Sequence, residues 1–398
     1  MAEGILKRLF GDVMIYILLR LPLKTLLRFK CISKTFYNII QSSTFINLHR
    51  NRTTTTNDEF ILFNRSIKEA HNEFKSVMSF YACSHDNYDI HSISPDLDVT
   101  NMKPSISSVS HRLIGPCHGL IVLTDTVETI LLNPATRNYR ILRPSPFDCP
   151  MGFCRSIVGV GFGFDSTAND YKIVWVLEDY GDPPFYCYGL SKWKIDVYEL
   201  TIDSWRELDY IDLEWSFVYR YPYSDMFYNG ATHWFGGRET VVILCFDMST
   251  ETFRNMKMPD ACHFKDRKSY GLVVLNDSLA LICYRHPRCV IDPAKDFMEI
   301  WTMKEYGVGE SWIKKYTITP LSIESPLAVW KNHFLLLEYH RSGVLFSYDL
   351  NSDEVKELNL HGWPQSLRVS IYKESLTLIP KGNEDSTQVQ NFLSDITL

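Results

Sequence analysis

The sequence predicts an α+β protein with two unequal parts: a small all-α domain, followed by a large all-β domain with the strand pattern of a β-propeller. Apolar residues recur at helical spacing within residues 9–50 of the 398-residue chain. From about residue 60 onward, short apolar segments alternate with polar turns, which is typical of strands. The predicted divisions are a helical domain at 1–50, a linker at 51–58, a β domain at 59–380 and a C-terminal tail at 381–398.

Four short helices are predicted in the first part. Asp12 is a candidate N-cap of the first and Ser33 of the third, because both side chains can accept a hydrogen bond from a first-turn N–H. Pro22 suits the first turn of the second helix, and the fourth begins at Ser43 or its neighbour. The first helix carries an apolar stripe at every fourth position: Leu9, Val13, Ile17 and Leu21. Such short helices cannot bury all their apolar surface alone, so the excess is expected to face a partner or the adjoining domain.

A repeated strand–turn–strand pattern dominates the second part. Its five copies are anchored at Asn133, Glu199, Asp247, Thr302 and Asp349. A second hairpin type lies between copies, at 271–283, 327–337 and 369–380. Two hairpins per ~50 residues form a four-stranded blade with a kelch-like period. Because blades must stack around an axis, ring closure predicts that residues 59–64 pair with the hairpin at 369–379.

Charge is unevenly distributed along the chain. The net charge is −6, but residues 1–50 contribute +6 and the remainder −12. An acidic body argues against nucleic acid as a ligand and is compatible with a basic protein partner, although ordinary solubility explains it equally well. No membrane span is predicted, since the longest early apolar run, Val13 to Leu19, is seven residues. The ten cysteines are expected to be reduced thiols.

Three patterns could suggest chemistry, and each has a simpler interpretation. Gly159, Gly161 and Gly163 alternate on one face of a predicted strand, which indicates close approach of a neighbouring chain rather than a dinucleotide site. Three residues have metal-like spacing but lack a fourth ligand: Cys283, His286 and Cys289. Two pairs of adjacent Cys and His residues could suggest a nucleophile with its base, but adjacent side chains of a strand point to opposite faces: Cys117-His118 and Cys262-His263. No catalytic residue, metal or cofactor is therefore predicted.

An aromatic run at 214–227 has two interpretations that the sequence leaves open. It places five aromatic residues at alternate positions: Trp215, Phe217, Tyr219, Tyr221 and Tyr223. They form either the interior of a blade or a patch that binds a partner, and Pro222 excludes a central strand. A charged segment containing Lys265, Asp266 and Arg267 is a second candidate for client binding.

The first part resembles a known module. The segment LLRLPLKTLLRFKCISKTFYNIIQSSTFINLH is similar to an F-box, the module that binds the Skp-type adaptor of SCF ubiquitin ligases. The resemblance implies that ten residues bind the adaptor: Leu9, Val13, Leu21, Pro22, Leu23, Leu26, Phe29, Ile32, Phe36 and Phe45. Two positions depart from the motif, with Phe10 in place of a proline and Phe36 in place of a tryptophan, and the second removes an indole donor.

The second part extends the resemblance. GPCHGLIVL and ILLNPATRNYRIL are similar to the F-box-associated region of plant F-box proteins, and SWREL, HWFG and SYDLNSDEVKELNLHGWP resemble S-locus F-box proteins of the nightshade family. This implies a non-catalytic receptor, joined to a cullin through the adaptor, that presents an S-RNase for ubiquitination and degradation in pollen self-incompatibility. The implied location is the cytoplasm of the pollen tube, and the nucleus is a second implied location. The alternatives are an SCF receptor for another client, and a propeller enzyme or lectin-like binder with a vestigial helical domain.

Overall fold

The computed structural model describes residues 11–55, 59–70, 73–83, 90–94, 96–99, 112–125, 128–149, 151, 153–181, 192–208, 216–217, 225–237, 240–260, 268–285, 297–318, 323–339, 342–380 and 390–391. Within these residues, no helix is long and apolar enough to cross a membrane.

Four helices form the first part. The described part of α1 covers residues 11–18, and the others are α2 (Leu23–Lys30), α3 (Lys34–Gln41) and α4 (Ser43–Thr55). The predicted cap at Ser33 is confirmed, because its side chain accepts a hydrogen bond from the Phe36 N–H at 3.2 Å. The predicted cap at Asp12 is wrong, since residue 11 is already helical. Helix α4 continues through residue 50 into the segment that the sequence suggested as a linker.

The described strands form six antiparallel sheets, each of which is a blade of one ring. Blade 1 contains β1 (Phe60–Ala70), β2 (Glu73–Cys83), β3 (Ile90–Ser92), β4 (Leu97–Asp98) and β26 (Arg368–Tyr372). Blade 2 contains β5 (Arg112–Cys117), β6 (Leu120–Thr124), β7 (Thr129–Asn133), β8 (Asn138–Ile141) and β27 (Gln390–Asn391). Blade 3 contains β9 (Phe153–Asp165), β10 (Asp170–Gly181), β11 (Lys192–Glu199) and β12 (Ser204–Leu208).

The second half of the ring has the same plan. Blade 4 contains β13 (Ser216–Phe217), β14 (Met226–Tyr228), β15 (Ala231–Gly237), β16 (Val241–Asp247) and β17 (Phe253–Lys257). Blade 5 contains β18 (Lys268–Leu275), β19 (Ser278–Arg285), β20 (Met298–Met303) and β21 (Trp312–Ile318). Blade 6 contains β22 (Ile323–Trp330), β23 (Phe334–Tyr339), β24 (Val344–Asp349) and β25 (Val355–His361).

Each blade shares an apolar core with the next blade, so the six sheets close into a propeller. Leu62 of blade 1 packs with Leu132 of blade 2, for example. At the other side of blade 1, Ile61 packs with Leu336 of blade 6, which completes the circle. Most strands are buried on both faces because each sheet lies between two others. The predicted fold class, a short helical domain followed by a β-propeller, is confirmed.

Ring closure joins the two ends of the β domain. Strand β1 pairs antiparallel with β26, from Phe60 opposite Tyr372 to Asn64 opposite Arg368, as the sequence predicted. The predicted second arm of a C-terminal hairpin is wrong, since residues 373–380 form no strand. The Asn133 side chain instead donates hydrogen bonds to the carbonyl oxygens of residues 375 and 377, at 3.0 and 2.8 Å. Asn133, which lies far away in sequence, thus binds backbone carbonyl groups that would have bonded to a partner strand in a hairpin.

The repeated pattern corresponds to the third and fourth strands of blades 2 to 6. The Asn133 side chain accepts a hydrogen bond from the Ala135 N–H at 3.1 Å, and Asp247 accepts from the Ser249 N–H at 3.0 Å. The copy at Thr302 has extra residues, which include a 3-10 turn at Gly309–Ser311. In the copies at Asn133 and Asp247, the anchor side chain satisfies backbone donors that the tight turn leaves without strand partners, as the pattern predicted.

The alternating glycines of β9 lie against blade 4. A Cβ atom added at Gly161 would lie 2.7 Å from Thr232 Oγ1, and one at Gly163 would lie 2.3 Å from the ring of Phe227. A Cβ at Gly159 would lie 3.1 Å from Trp234. The prediction that a neighbouring segment of the same polypeptide passes close to these glycines is confirmed.

Candidate interaction surfaces

The helical domain has its own core, which uses three of the residues predicted to bind an adaptor. Leu23, Leu26 and Phe45 are 4%, 0% and 1% exposed, and they pack among the helices. Their burial favours a packing role for these three residues over direct adaptor contact, because a fully packed side chain offers no area to a partner. Leu376 completes the same core and is contributed by the 373–380 segment of the propeller.

Other apolar side chains of the helical domain point to solvent. Val13, Tyr16 and Ile17 are each about half exposed or more, at 50%, 59% and 55%, and their spacing places them on one face of α1. Ile32 and Tyr37 are 64% and 46% exposed. These five residues are hereafter the exposed helical face. Clusters of large exposed apolar side chains usually mark interaction sites.

Only part of this face was among the predicted adaptor contacts. Val13 and Ile32 were predicted, whereas Tyr16, Ile17 and Tyr37 were missing from the predicted set. Helical spacing from Val13 could have identified Tyr16 and Ile17, at three and four positions along the same helix.

The remaining predicted contacts have mixed environments. Leu21, Phe29 and Phe36 are half-buried, and the rings of Phe29 and Phe36 lie 5.3 Å apart. Pro22 is exposed, and Leu9 lies outside the described residues. Phe36 therefore supports the edge of the helical core while keeping part of its ring at the surface.

The helical domain sits on one end of the ring, hereafter the helix-side end. Arg50 of α4 places Nη1 3.4 Å from His118 Nδ1, in the β5–β6 turn, and its guanidinium lies 5.5 Å from the ring of Phe164. His118 Nδ1 also lies 3.1 Å from the Tyr171 hydroxyl oxygen. Burial, with a further effect from Arg50, lowers the pKa of His118 to about 4. The imidazole is therefore neutral near pH 7, which avoids repulsion between two cations at this contact.

The opposite end of the ring, hereafter the far end, carries the other set of strand connections. Because strands alternate in direction, the fourth strands β12 and β17 end there, at Leu208 and Lys257. The aromatic run and the charged segment follow these two strands in sequence. Of the predicted client-binding residues, the structure describes only the backbone of Phe217, in β13. Those outside the described residues are Trp215, Tyr219, Tyr221, Tyr223, Lys265, Asp266 and Arg267.

Blade 4 departs from the regular plan next to this run. Both β13 and β14 pair with β15, with Phe217 opposite Gly236 and Met226 opposite His233. Residues 218–225 lie between the two strands, although only two positions of β15 separate their partners. More residues lie in sequence between β13 and β14 than there are positions on β15 between their partners. The two segments therefore do not form one continuous innermost strand of blade 4.

A channel runs along the ring axis and forms a cavity of about 350 Å³. Its walls are the innermost strands of five blades: β26, β5, β14, β18 and β22. A smaller cavity of about 200 Å³ shares Glu59, Pro116 and Ile371 with it and extends to Arg50 and residues 373–375. The helical domain and the 373–380 segment therefore border the channel at the helix-side end.

Buried charges hold neighbouring blades together. Lys172 Nζ donates to Asp165 Oδ2 at 2.6 Å and to Glu251 Oε1, on blade 4, at 2.8 Å. Burial alone would raise the pKa of Asp165, but hydrogen bonds from Lys172 and from the Ala168 N–H outweigh it and hold this pKa at about 2. These groups satisfy each other, so the network has a structural role between blades 3 and 4.

The thiols that the structure describes include buried ones that are not activated for chemistry. Cys117 is buried, and burial raises the pKa of its thiol to about 12, so the nucleophilic thiolate is disfavoured. Cys283 is 1% exposed. Among the described residues, no group of His, Cys, Asp and Glu could hold a metal ion. His286 and Cys289, and the pair Cys262-His263, lie outside the described residues.

Comparisons with known proteins identify both parts of the chain. The F-box domain family matches residues 6–48, and the F-box associated beta propeller domain family matches residues 71–377. The chain therefore belongs to the family of F-box proteins with an F-box-associated β-propeller.

Several relatives from Arabidopsis thaliana share this organisation. F-box protein CPR1 is 26% identical over 402 residues, covering 94% of this chain and 89% of the relative. F-box/kelch-repeat protein At3g23880 is 26% identical over 351 residues, covering 84% of this chain and 85% of the relative. F-box proteins are in general non-catalytic subunits of SCF ligases, and the F-box implies binding to a Skp-type adaptor.

Proposed function

We propose that this chain is the client-binding subunit of an SCF ubiquitin ligase, that the exposed helical face docks on a Skp-type adaptor, and that the propeller holds the client. One observation carries the first part: among the described residues of a domain of about forty residues, six large apolar side chains are exposed, namely the five of the exposed helical face and Leu48. Such a face is stabilised when a partner removes it from water, by ~25 cal/mol for each Å² of apolar area.

Three variants separate docking from folding. Ile17→Glu places a carboxylate on the exposed helical face, and we expect it to weaken adaptor binding about thirtyfold or more, since burying an unpaired charge costs at least ~2 kcal/mol. Thr44→Glu puts the same charge on an exposed position of α4 and should leave binding unchanged. Both should keep the thermal unfolding temperature of the unmodified chain. Adaptor capture by Ile17→Glu at full affinity would remove this docking site.

The third variant tests the packing role of Leu26 in the helical core. Leu26 is 0% exposed, so Leu26→Ala should lower the free energy of unfolding by about 2–5 kcal/mol through loss of packing. Its effect on adaptor binding should follow the fraction of folded domain. A fully stable Leu26→Ala protein that fails to bind the adaptor would instead place Leu26 in the interface.

For the client, we propose an S-RNase. The resemblance of the β domain to S-locus F-box proteins supports this client, and the charge of −12 outside residues 1–50 suits a basic ribonuclease. The reaction would take place in the pollen-tube cytoplasm, which fractionation of pollen tubes can test. Reconstituted ligase should ubiquitinate some members of a panel of allelic S-RNases and not others. If every S-RNase is ignored while adaptor binding is intact, the chain is an SCF receptor for another client.

A further inference from the structure

The channel on the ring axis is lined by groups that a cavity filled only with water would not need. Its cavity of about 350 Å³ lies within the range of small-molecule sites in proteins. All the innermost strands run from the far end to the helix-side end. The order of residues along each strand therefore gives their depth in the channel.

Charge gathers at the far end of the channel. Arg112, Asp225 and Arg368 stand at or just before the starts of β5, β14 and β26. Arg112 Nη1 lies 3.4 Å from Asp225 Oδ2. Burial raises the pKa of this carboxyl, and the positive charges of Arg112 and Arg368 oppose that rise. Two guanidinium groups and one carboxyl group thus line this level of the cavity, and only Arg112 is paired with the carboxyl, so positive charge predominates among these three side chains.

Both guanidinium groups are held in place by the protein. Arg112 Nη2 donates to the Ile157 carbonyl oxygen at 3.3 Å. Arg368 Nη1 donates to the carbonyl oxygens of Gln365 and Leu367, at 3.0 and 2.9 Å. A guanidinium fixed by backbone acceptors loses little freedom when it binds an anion, and its planar donors suit a carboxylate, sulfonate or phosphate.

Below this charged level, the innermost strands contribute an apolar wall beside the polar atoms of the lining. It is formed by Leu113, Met226, Leu272, Val274, Leu327, Val329, Val369 and Ile371. Val274 is 36% exposed on an innermost strand and lines the cavity, unlike the buried valines around it. Charged groups return only towards the helix-side end, with Glu59, Asp277 and Lys331.

We propose that the channel is a binding site for a small organic anion with an apolar body, which lies along the apolar wall with its anionic group at Arg112 and Arg368. This ligand site goes beyond client and adaptor binding and does not depend on either. The apolar wall would supply binding through area removed from water, and the two guanidinium groups would select the anion.

Two dyes of one shape provide the test. 1-Anilinonaphthalene-8-sulfonate carries a sulfonate on an apolar body, and N-phenyl-1-naphthylamine has the same rings without charge. Fluorescence titration of the full chain, with and without the Skp-type adaptor, should give one site that prefers the anionic dye about tenfold. The adaptor is included because the exposed helical face can also attract dye.

Three variants assign that site. Val274→Trp fills the cavity and should abolish binding of both dyes at this site. Arg368→Gln should reduce the preference for the anionic dye to about threefold or less while the neutral dye binds as before. Ile313→Trp makes a similar change at an outer-strand position that is 38% exposed, and it should change neither affinity.

Each outcome decides the matter. Unchanged titration with a folded Val274→Trp protein would show that the dye binds elsewhere and that the channel holds only water. Equal affinity for the two dyes would overturn the role of the arginines. If Val274→Trp does not fold, the loss of preference in Arg368→Gln still tests the proposal.

Discussion

Leu26 and Ile32 lie six residues apart and have opposite environments, at 0% and 64% exposure. The sequence predicted that both bind the adaptor. Hydrophobic spacing identifies apolar positions, but in this domain both the inward and the outward faces of the helices are apolar, so spacing alone cannot separate them. The contacts that decide come from distant residues such as Leu376. Two of the five residues of the exposed helical face could therefore be predicted, and the distinction between core and surface could not.

His233 has a fixed proton arrangement that predicts a pH dependence of stability. The side chain is fully buried, with Nδ1 3.1 Å from the Met226 carbonyl oxygen and Nε2 2.9 Å from the Tyr306 hydroxyl. A carbonyl only accepts, so Nδ1 donates to it and Nε2 accepts from Tyr306. Burial lowers the pKa of His233 to about 4, so a second proton is disfavoured in the folded chain.

The sign of the effect follows from the lowered pKa. In the unfolded chain His233 titrates near its ordinary value of about 6.5, so acid favours unfolding as pH falls from about 6.5 towards 4. His118 acts in the same direction. The urea midpoint should fall between pH 7.5 and pH 5.0, and it should fall less in His233→Gln, whose side chain does not titrate. Equal falls in the two proteins would show that His233 is not a source of acid sensitivity.

At the scale of elements, local patterns predicted hairpins well and their partners less well. The five copies of the strand–turn–strand pattern are all present as third and fourth strands, and in the copies at Asn133 and Asp247 the anchor side chain accepts hydrogen bonds from its own turn. The 369–379 hairpin failed because residue 376 packs among helices and residues 375 and 377 bond to Asn133. Such partners lie far away in sequence, and alternation of apolar residues cannot reveal them.

The packing of β9 on blade 4 predicts a cost for adding one methyl group. A Cβ at Gly161 would lie 2.7 and 2.8 Å from Thr232 side-chain atoms and 3.0 Å from the Trp234 ring. We expect Gly161→Ala to lower the free energy of unfolding by about 1–3 kcal/mol, as other overpacked cores do. Gly11→Ala is the matched control, because nothing lies within 4 Å of its added Cβ and alanine favours a helix. Equal unfolding midpoints for the two variants would contradict this packing.

For the whole molecule, the sequence predicted a closed propeller without its blade number. Within the described residues blade 1 takes its strands from both ends of the β domain, and blade 4 has an interrupted innermost strand. Neither blade shows the full two-hairpin pattern in one continuous stretch. Counting repeats therefore finds fewer than the six sheets, since the missing strand of blade 1 lies about 300 residues away.

Charge distribution predicts how the molecule meets a basic client. The residues after position 50 carry a net charge of −12, so, if the proposed client is correct, long-range attraction should speed encounter with a basic S-RNase. Raising salt from low to physiological ionic strength should slow association, while dissociation changes less. Surface plasmon resonance measures both rates, and sucrose at equal osmolality serves as the uncharged control. Association that is indifferent to salt would remove the electrostatic contribution and leave apolar contacts to hold the client.

The position of Leu376 in the helical core affects how the chain matures on the ribosome. The helices emerge first, yet their core lacks Leu376 until nearly the whole β domain has been synthesised. Strand β26, which ends at Tyr372, closes the ring at about the same moment. A nascent or prematurely terminated chain therefore carries both an open ring and an unfinished helical core. We therefore expect incomplete products to bind a Skp-type adaptor more weakly than the finished chain does.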